Sequence, residues 1–145
     1  MAAKILLDVN VLIALTEPGH THHLTAQKWF ESSSKDIWGI CPFTEAGFLR
    51  IATDPVRGTG RSVAQATAVL RALEGLQGFW YWPVDESWVS LTARFAARIS
   101  GHKQVTDAYL LGLAIRQEGV LVTFDRGLKD LAGDEFARNV HLLAL

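Results

Sequence analysis

Lys4-Ile5-Leu6-Leu7-Asp8-Val9-Asn10 decides how the rest of this chain is read. A short apolar run stops abruptly at a carboxylate. A continuous run of this length reads as a strand buried on both faces, as in a parallel sheet. An acid at its C-terminal end faces the crevice where open α/β sheets take their ligands. The pattern returns at Val120-Leu121-Val122-Thr123-Phe124-Asp125. Two strands that each deliver an acid to one rim define a candidate site.

Working outward, Val9 to Leu15 starts a short helix that Pro18-Gly19 stops. A second helix is expected over Thr21 to Ser33, with Ser32-Ser33-Ser34 as its end and the following loop. Asp36 to Ile40 reads as a second strand ended by Pro42. A third helix opens near Thr44 or Glu45 and stops before Pro55. Asp54 to Arg61 is a loop, and Ser62 with Gln65 has capping-box spacing for a fourth helix. Phe79 to Trp82 reads as a third strand. Asp85 is expected to cap a fifth helix striped by Trp88, Leu91, Phe95 and Ile99, with Gly101 as its stop. A sixth helix, about Gln104 to Glu118, is apolar on most sides and ends at Gly119. Val120 to Thr123 is the fourth strand, Gly127 to Leu131 a short helix or turn, and Val140 to Leu143 the fifth strand. Alternating strands and helices imply right-handed crossovers, hence one three-layer α/β/α domain over 1–145 around a mostly parallel sheet.

Bulk properties narrow the function. The 145 residues suit one domain, and 49% hydrophobic content supplies a core and argues against disorder. A net charge of −1 gives no global basic field, so a polyanion is held by local basic patches or by metal. The single cysteine, Cys41, excludes a disulfide within the chain and fits a reducing cytosol. The first apolar run is broken by Asp8 and Asn10 and is too short to span a bilayer, so the expectation is a cytoplasmic protein without signal peptide or membrane segment.

Asp8, Glu45, Asp107 and Asp125 are the candidate carboxylates. Taken singly, each has an ordinary explanation. Asp8 caps a helix, Asp107 is a favourable first-turn charge, Asp125 opens a turn and Glu45 is a solvated helix residue. Gathered in a half-dry crevice they repel, and must protonate or share a cation. An all-oxygen donor set favours Mg²⁺ or Mn²⁺ over Zn²⁺. Such an ion acidifies a bound water and offsets charge on phosphoryl oxygens.

At these residues the chain resembles the PIN-domain ribonucleases, specifically the VapC toxins of bacterial type II toxin–antitoxin systems. The matching pieces are Leu7-Asp8-Val9-Asn10-Val11-Leu12, Thr44-Glu45-Ala46-Gly47-Phe48-Leu49-Arg50, Val105-Thr106-Asp107-Ala108-Tyr109-Leu110 and Val122-Thr123-Phe124-Asp125-Arg126, in the family's order. The resemblance implies a five-stranded parallel sheet in the order third, second, first, fourth, fifth. It implies one acidic pocket of Asp8, Glu45, Asp107 and Asp125 that binds Mg²⁺ or Mn²⁺ and cleaves RNA phosphodiesters with an activated water. Asn10 and Thr123 match polar positions beside the acids and support their orientation. A homodimer and a small cognate VapB-like antitoxin are further implications. No acidic position departs from the family pattern.

Other features are weighed beside these. Arg50, Arg57 and Arg61 surround a Gly-containing loop and, with Arg126, are candidate phosphate contacts; a solvated loop and a pocket-rim ion pair are the plainer explanations. Phe79-Trp80-Tyr81-Trp82 reads as packing or a subunit interface before base stacking. His20, His22 and His23 match no metal-ligand spacing and read as exposed loop and helix-start residues. Cys41 reads as a small buried residue, not a nucleophile. Two other functions compete. A haloacid-dehalogenase-like phosphatase wants a second acid where Asn10 stands and a Lys that Lys129 matches poorly. A receiver-like interaction module wants an Asp after a middle strand, and neither Ile40-Cys41 nor Trp82-Pro83 supplies one.

Overall fold

The computed structural model describes residues 3–33 and 35–144; Ser34 of the triple-serine stretch lies outside them. Its sheet is wholly parallel, in the order β2-β1-β3-β4. The strands are β1 (Lys4–Leu7), β2 (Ile37–Gly39), β3 (Val120–Thr123) and β4 (Val140–Leu142). The register sets Ile5 against both Trp38 and Val120, and Leu7 against Val122. Seven α-helices connect and cover the strands: α1 (Val9–Thr16), α2 (His23–Ser32), α3 (Pro42–Ala52), α4 (Val63–Glu74), α5 (Trp88–Thr92), α6 (Val105–Arg116) and α7 (Arg126–Ala132).

The period-two geometry of strands divides the core. Leu6 and Leu121 face one side, with Leu91 of α5, Leu110 and Leu111 of α6, and Leu128 and Leu131 of α7. Ile5, Leu7 and Val122 face the other, with Val11 and Leu12 of α1, Phe48 of α3 and Leu70 of α4. Both faces are therefore covered, which is why β1 and β3 read as unbroken apolar runs. Among the described residues, no helix is long and apolar enough to cross a membrane.

The sheet has four strands, not the expected five. Phe79–Trp82 does run beside β2: Trp80 N–H donates to Trp38 O (2.8 Å) and Trp82 N–H to Ile40 O (3.0 Å). Its pairing reduces to one parallel bridge between Phe79 and Trp38. Three-residue β2 is too short to support a longer ladder, and Pro83 ends the segment. The packing reading of its aromatics holds for Trp82, which is buried and donates its indole N–H to Ile5 O (3.0 Å).

The fifth helix also differs. Ser87, not Asp85, caps it, its Oγ accepting from Ser90 N–H at 3.0 Å. After Thr92 it tightens into 3₁₀ turns over Ala93–Arg98, with a kink at Phe95. The kink seats the Phe95 ring 6.1 Å from Phe136. It also lets Arg98 donate to the carbonyls of Leu131 and Ala132, the open end of α7. The Ser62–Gln65 capping box is present in both directions.

Gly119 follows α6 for a reason other than conformation. The left-handed residue there is Glu118 (φ 54°). At Gly119 a Cβ would lie 2.6 Å from Lys4 O and 2.8 Å from the Trp82 ring. Gly119→Ala is therefore expected to destabilise the fold by about 1–3 kcal/mol, the usual cost of overpacking. Glu118→Gly, which relieves a left-handed non-glycine, is expected to be neutral or stabilising by up to about 1 kcal/mol. Urea denaturation midpoints check both; the opposite order would show that chain conformation, not close approach, selects Gly119.

Candidate active site

The rim is assembled where β1 and β3 end side by side. Asp8 N–H donates to Val122 O at 3.0 Å, which extends the β1–β3 ladder to the first acid. Asp8 is also the N-cap of α1: one carboxylate oxygen accepts Val9 N–H at 2.8 Å. Asp125 caps α7 in the same manner, accepting Gly127 N–H at 2.8 Å. The ordinary explanations of these two acids are thus true, but they account for only part of each carboxylate.

The remainder is organised by Thr123. Its hydroxyl donates to the second oxygen of Asp8 at 2.7 Å and accepts Asp125 N–H at 2.9 Å. Asn10, in the first turn of α1, donates to the same hydroxyl at 3.4 Å and accepts Phe124 N–H at 3.2 Å. One buried threonine and one asparagine therefore lock the end of β1 to the end of β3.

Asp107 arrives from α6. That helix runs antiparallel to β3 and feeds its start through Gly119, so its own first turn returns to the C-terminal rim. Burial raises the Asp107 carboxyl to about 7, helped by the charges of Asp8 and Asp125 and by a hydrogen-bonding approach to Asp125. Burial also raises Asp8, against the hydrogen bonds from Thr123 and Val9, and the Asp125 charge adds to the rise. The opposing influence is the positive end of a helix, worth about 0.3–1 kcal/mol to an anion. Like charges about 4 Å apart repel by roughly 4 kcal/mol in a partly solvated site. The direction at Asp8 and Asp107 shows that crowding and burial prevail.

Glu45 is placed differently. It lies in the first turn of α3, but its carboxylate accepts the Tyr81 hydroxyl at 2.5 Å. Its nearest acidic neighbour is Glu74 of α4, which hydrogen bonding with Glu45 raises to about 7. The aspartate trio and the Glu45–Tyr81–Glu74 group are therefore two clusters. Tyr81 and Glu74 carried no sequence signal; the folding of the 79–82 segment against β2 brings Tyr81 to Glu45, and the packing of α4 on α3 brings Glu74.

The basic residues scatter. Arg50 is exposed in the last turn of α3, and Arg126 is exposed beside Asp125. Arg57 and Arg61 line a cavity of about 520 Å³ next to Asn10, and Arg61 is ion-paired with Glu17. His23 Nδ1 bonds Ala14 O at 2.8 Å, and His20 Nδ1 accepts His22 N–H at 3.0 Å. Cys41 is buried, its thiol pushed up by burial, and it caps α3 with Thr44. Lys129 is exposed on α7.

For a ligand, the trio offers oxygens alone, the donor chemistry of hard cations. Among the described residues, no group of three or more His, Cys, Asp or Glu side chains is already closed to the spacing of one ion. Asp8 and Asp125 are instead held by hydrogen bonds, and burial raises Asp8 and Asp107 towards their protonated forms. The folded-state value of Asp107 lies above the unfolded carboxylate value of about 4. The folded chain therefore holds the extra proton between about pH 4 and about 7, and stability falls as pH rises through that window. Asp107→Asn is expected to remove this slope. Without divalent cations the variant should be more stable than the parent at pH 8 and lose that advantage towards pH 4; a parallel pair of stability–pH curves would contradict it.

With this geometry in view, comparison with known proteins is informative. The PIN domain family pattern matches residues 5–134. Ribonuclease VapC39 of Mycobacterium tuberculosis is 44% identical over 128 residues, 88% of this chain and 92% of that protein. Ribonuclease VapC38 of the same organism is 42% identical over 141 residues, 97% and 98% of the two chains. Among solved structures, VapBC2 from Rickettsia felis, bound to a DNA fragment from their promoter, superposes with a TM-score of 0.62 at 12% identity, over 97% of this chain and 99% of that one. VapC20 of Mycobacterium tuberculosis, described as a sarcin-ricin loop cleaving toxin, gives 0.60 at 14% identity, over 86% and 92%. The structural likenesses speak for the fold; the two close relatives, alike over nearly their full lengths, speak for descent. A match that runs from β1 past α7 leaves one assignment: this chain belongs to the PIN-domain family, in its VapC ribonuclease branch.

Proposed function

We propose that this protein is a metal-dependent endoribonuclease that serves as the toxin of a toxin–antitoxin pair. The observation that carries the reading is the convergence of Asp8, Asp107 and Asp125 on one rim, with Asp107 raised to about 7 by burial and by its two neighbours. Such a cluster is poised to exchange protons for a cation near neutral pH. A bound Mg²⁺ or Mn²⁺ supplies a more acidic water and offsets charge on the phosphoryl oxygens.

The chain's own residues do the rest. Asp8 has one oxygen held by Val9 and the other by Thr123, and each keeps a lone pair for a ligand. Thr123 and Asn10 fix the direction of Asp8 and the backbone of Asp125, so the ends of β1 and β3 do not splay under the repulsion of these two acids. Asp107 yields its proton when positive charge enters. Glu45 joins the trio only by exchanging its bond to Tyr81. Arg57 and Arg126, both exposed, are the readier phosphate contacts; Arg50 lies further along α3, and Arg61 is engaged with Glu17.

The partners follow from the family. VapBC2 and the FitAB complexes are toxin–antitoxin neighbours in fold. A small antitoxin with a DNA-binding end and a segment over the acidic pocket is the partner this chain would take. Exposed Phe43, Val89 and Val105 gather near the start of α6, where Trp88 donates to Val105 O at 2.8 Å. They offer an apolar face to a second copy, as a homodimer requires.

Purified, antitoxin-free protein is expected to cut total RNA at discrete positions with Mg²⁺ or Mn²⁺ and not with chelator. Asp8→Asn should lower the rate by more than about 100-fold, beyond the 10–100-fold typical of losing an outer partner of a metal ligand. Thr123→Val should fall within that smaller range. Cleavage that survives both chelator and Asp8→Asn, or no cleavage of any RNA, ribosomal RNA included, by well-folded protein, would overturn the proposal.

A further inference from the structure

Beside the carboxylates lies a cavity of about 520 Å³ whose polar wall is formed by Asn10, Glu17, His20, Arg57 and Thr59. We propose that it is a pocket for one nucleobase of the RNA, next to the phosphate that is cut. The inference rests on the ribonuclease reading and adds to it a specificity site.

Three observations carry it. The first is continuity. Asn10 belongs both to the cavity wall and to the network of the acids: it donates to Thr123 Oγ1 at 3.4 Å, and Thr123 donates to Asp8 at 2.7 Å. Two hydrogen bonds separate the cavity from the first carboxylate. A strand with its phosphate at the acids therefore has a neighbouring base within reach of the cavity.

The second is chemistry. Buried Phe48 gives the cavity an apolar floor, and the polar groups converge above it, the usual composition of a small-ligand pocket. Arg61 and Glu17 form an ion pair there, so the Glu17 carboxylate is fixed by a guanidinium while its second oxygen remains an acceptor. Adenine, guanine and cytosine present exocyclic amino donors to such an oxygen; uracil presents only its ring N3–H, flanked by two carbonyl oxygens that the carboxylate repels. With Arg61 paired to Glu17, the Arg57 guanidinium makes the surroundings favourable to a phosphate-bearing ligand.

The third is preorganisation. Asp54 accepts Val56 N–H at 2.9 Å and Arg57 N–H at 3.1 Å. Thr59 donates its hydroxyl to Ala52 O at 2.9 Å, and Arg61 N–H reaches the same carbonyl at 3.1 Å. At Gly58 a Cβ would stand 1.8 Å from Ile51 O, so the loop lies flush on the end of α3. These ties hold the Arg57 wall in place before any ligand arrives. Gly19, on the opposite wall, has no atom within 4 Å of where its Cβ would be, so a side chain there meets only open space.

The test uses the full chain with isotope-labelled amides, in chelator, and the four nucleoside 5′-monophosphates as probes. Saturable shifts are expected at Gly19, His20, Gly58 and Thr59 with the adenine, guanine and cytosine nucleotides. The uracil nucleotide, whose N3–H lies between two carbonyls facing the carboxylate, should bind roughly tenfold more weakly, the order of one hydrogen bond to a charged acceptor. Gly19→Trp should abolish the shifts, and Glu17→Gln should shrink the difference between bases. If Gly19→Trp fails to fold, Glu17→Gln carries the test. Ribose 5-phosphate reproducing the shifts with equal affinity would reduce the site to a phosphate contact and overturn the inference. So would the absence of any shift, which would leave the cavity to a protein partner. Because no cleavage is involved, the failures are distinguishable: nucleotide binding without RNA cleavage would remove the nuclease reading and leave only a nucleotide pocket, and RNA cleavage without nucleotide binding would remove the pocket alone.

Discussion

The hydroxyl of Thr123 is the smallest part on which the site depends. It is buried, donates to Asp8 and accepts from Asp125 N–H and Asn10. Parallel strands do not by themselves fix the residues that follow them, because the chain is already turning into the next helix. Here the two turns are tied to each other by one side chain. Without that tie, two carboxylates on adjacent strand ends would separate under their own repulsion.

The fold otherwise works against the charge it gathers. Asp8 is 6% exposed, and both it and Asp107 are pushed up by burial. Helix N-termini at α1, α6 and α7 return only part of the cost. Asp107, raised to about 7, is not fully ionised near neutral pH, so positive charge entering the cluster would relieve its repulsion. Glu45 is kept out of that balance, its carboxylate held by Tyr81 and its repulsion taken up by Glu74.

What the sequence revealed follows physical lines. Strands β1 and β3 were legible because burial on both faces leaves the apolar runs 5–7 and 120–122, and an acid follows each. The capping box at Ser62 was legible because it is local. Pairing of Phe79–Trp82 was not, since it depends on how little of β2 there is to pair with. The kink at Phe95 is set by Phe136 and by the open end of α7, both distant in sequence. The placement of Asp107 came only with the family resemblance, because the return of α6 to the rim is a property of topology and not of local pattern. Glu45 was read with the other acids because a motif records which residue is present and not where its side chain finds a donor. Glu17, which precedes Pro18-Gly19 and carried no sequence signal, is the ion-pair partner of Arg61.

On the function proposed above, the three aspartates take one kind of ligand, a hard divalent cation. Crystals of the protein grown or soaked with Mn²⁺ would test it through anomalous scattering. The account predicts a manganese peak within about 2.0–2.3 Å of oxygens from Asp8 and at least one of Asp107 and Asp125, with Thr123 still bonded to Asp8. A saturating Mn²⁺ concentration that leaves these carboxylates hydrogen-bonded as they are, with no peak among them, would contradict it.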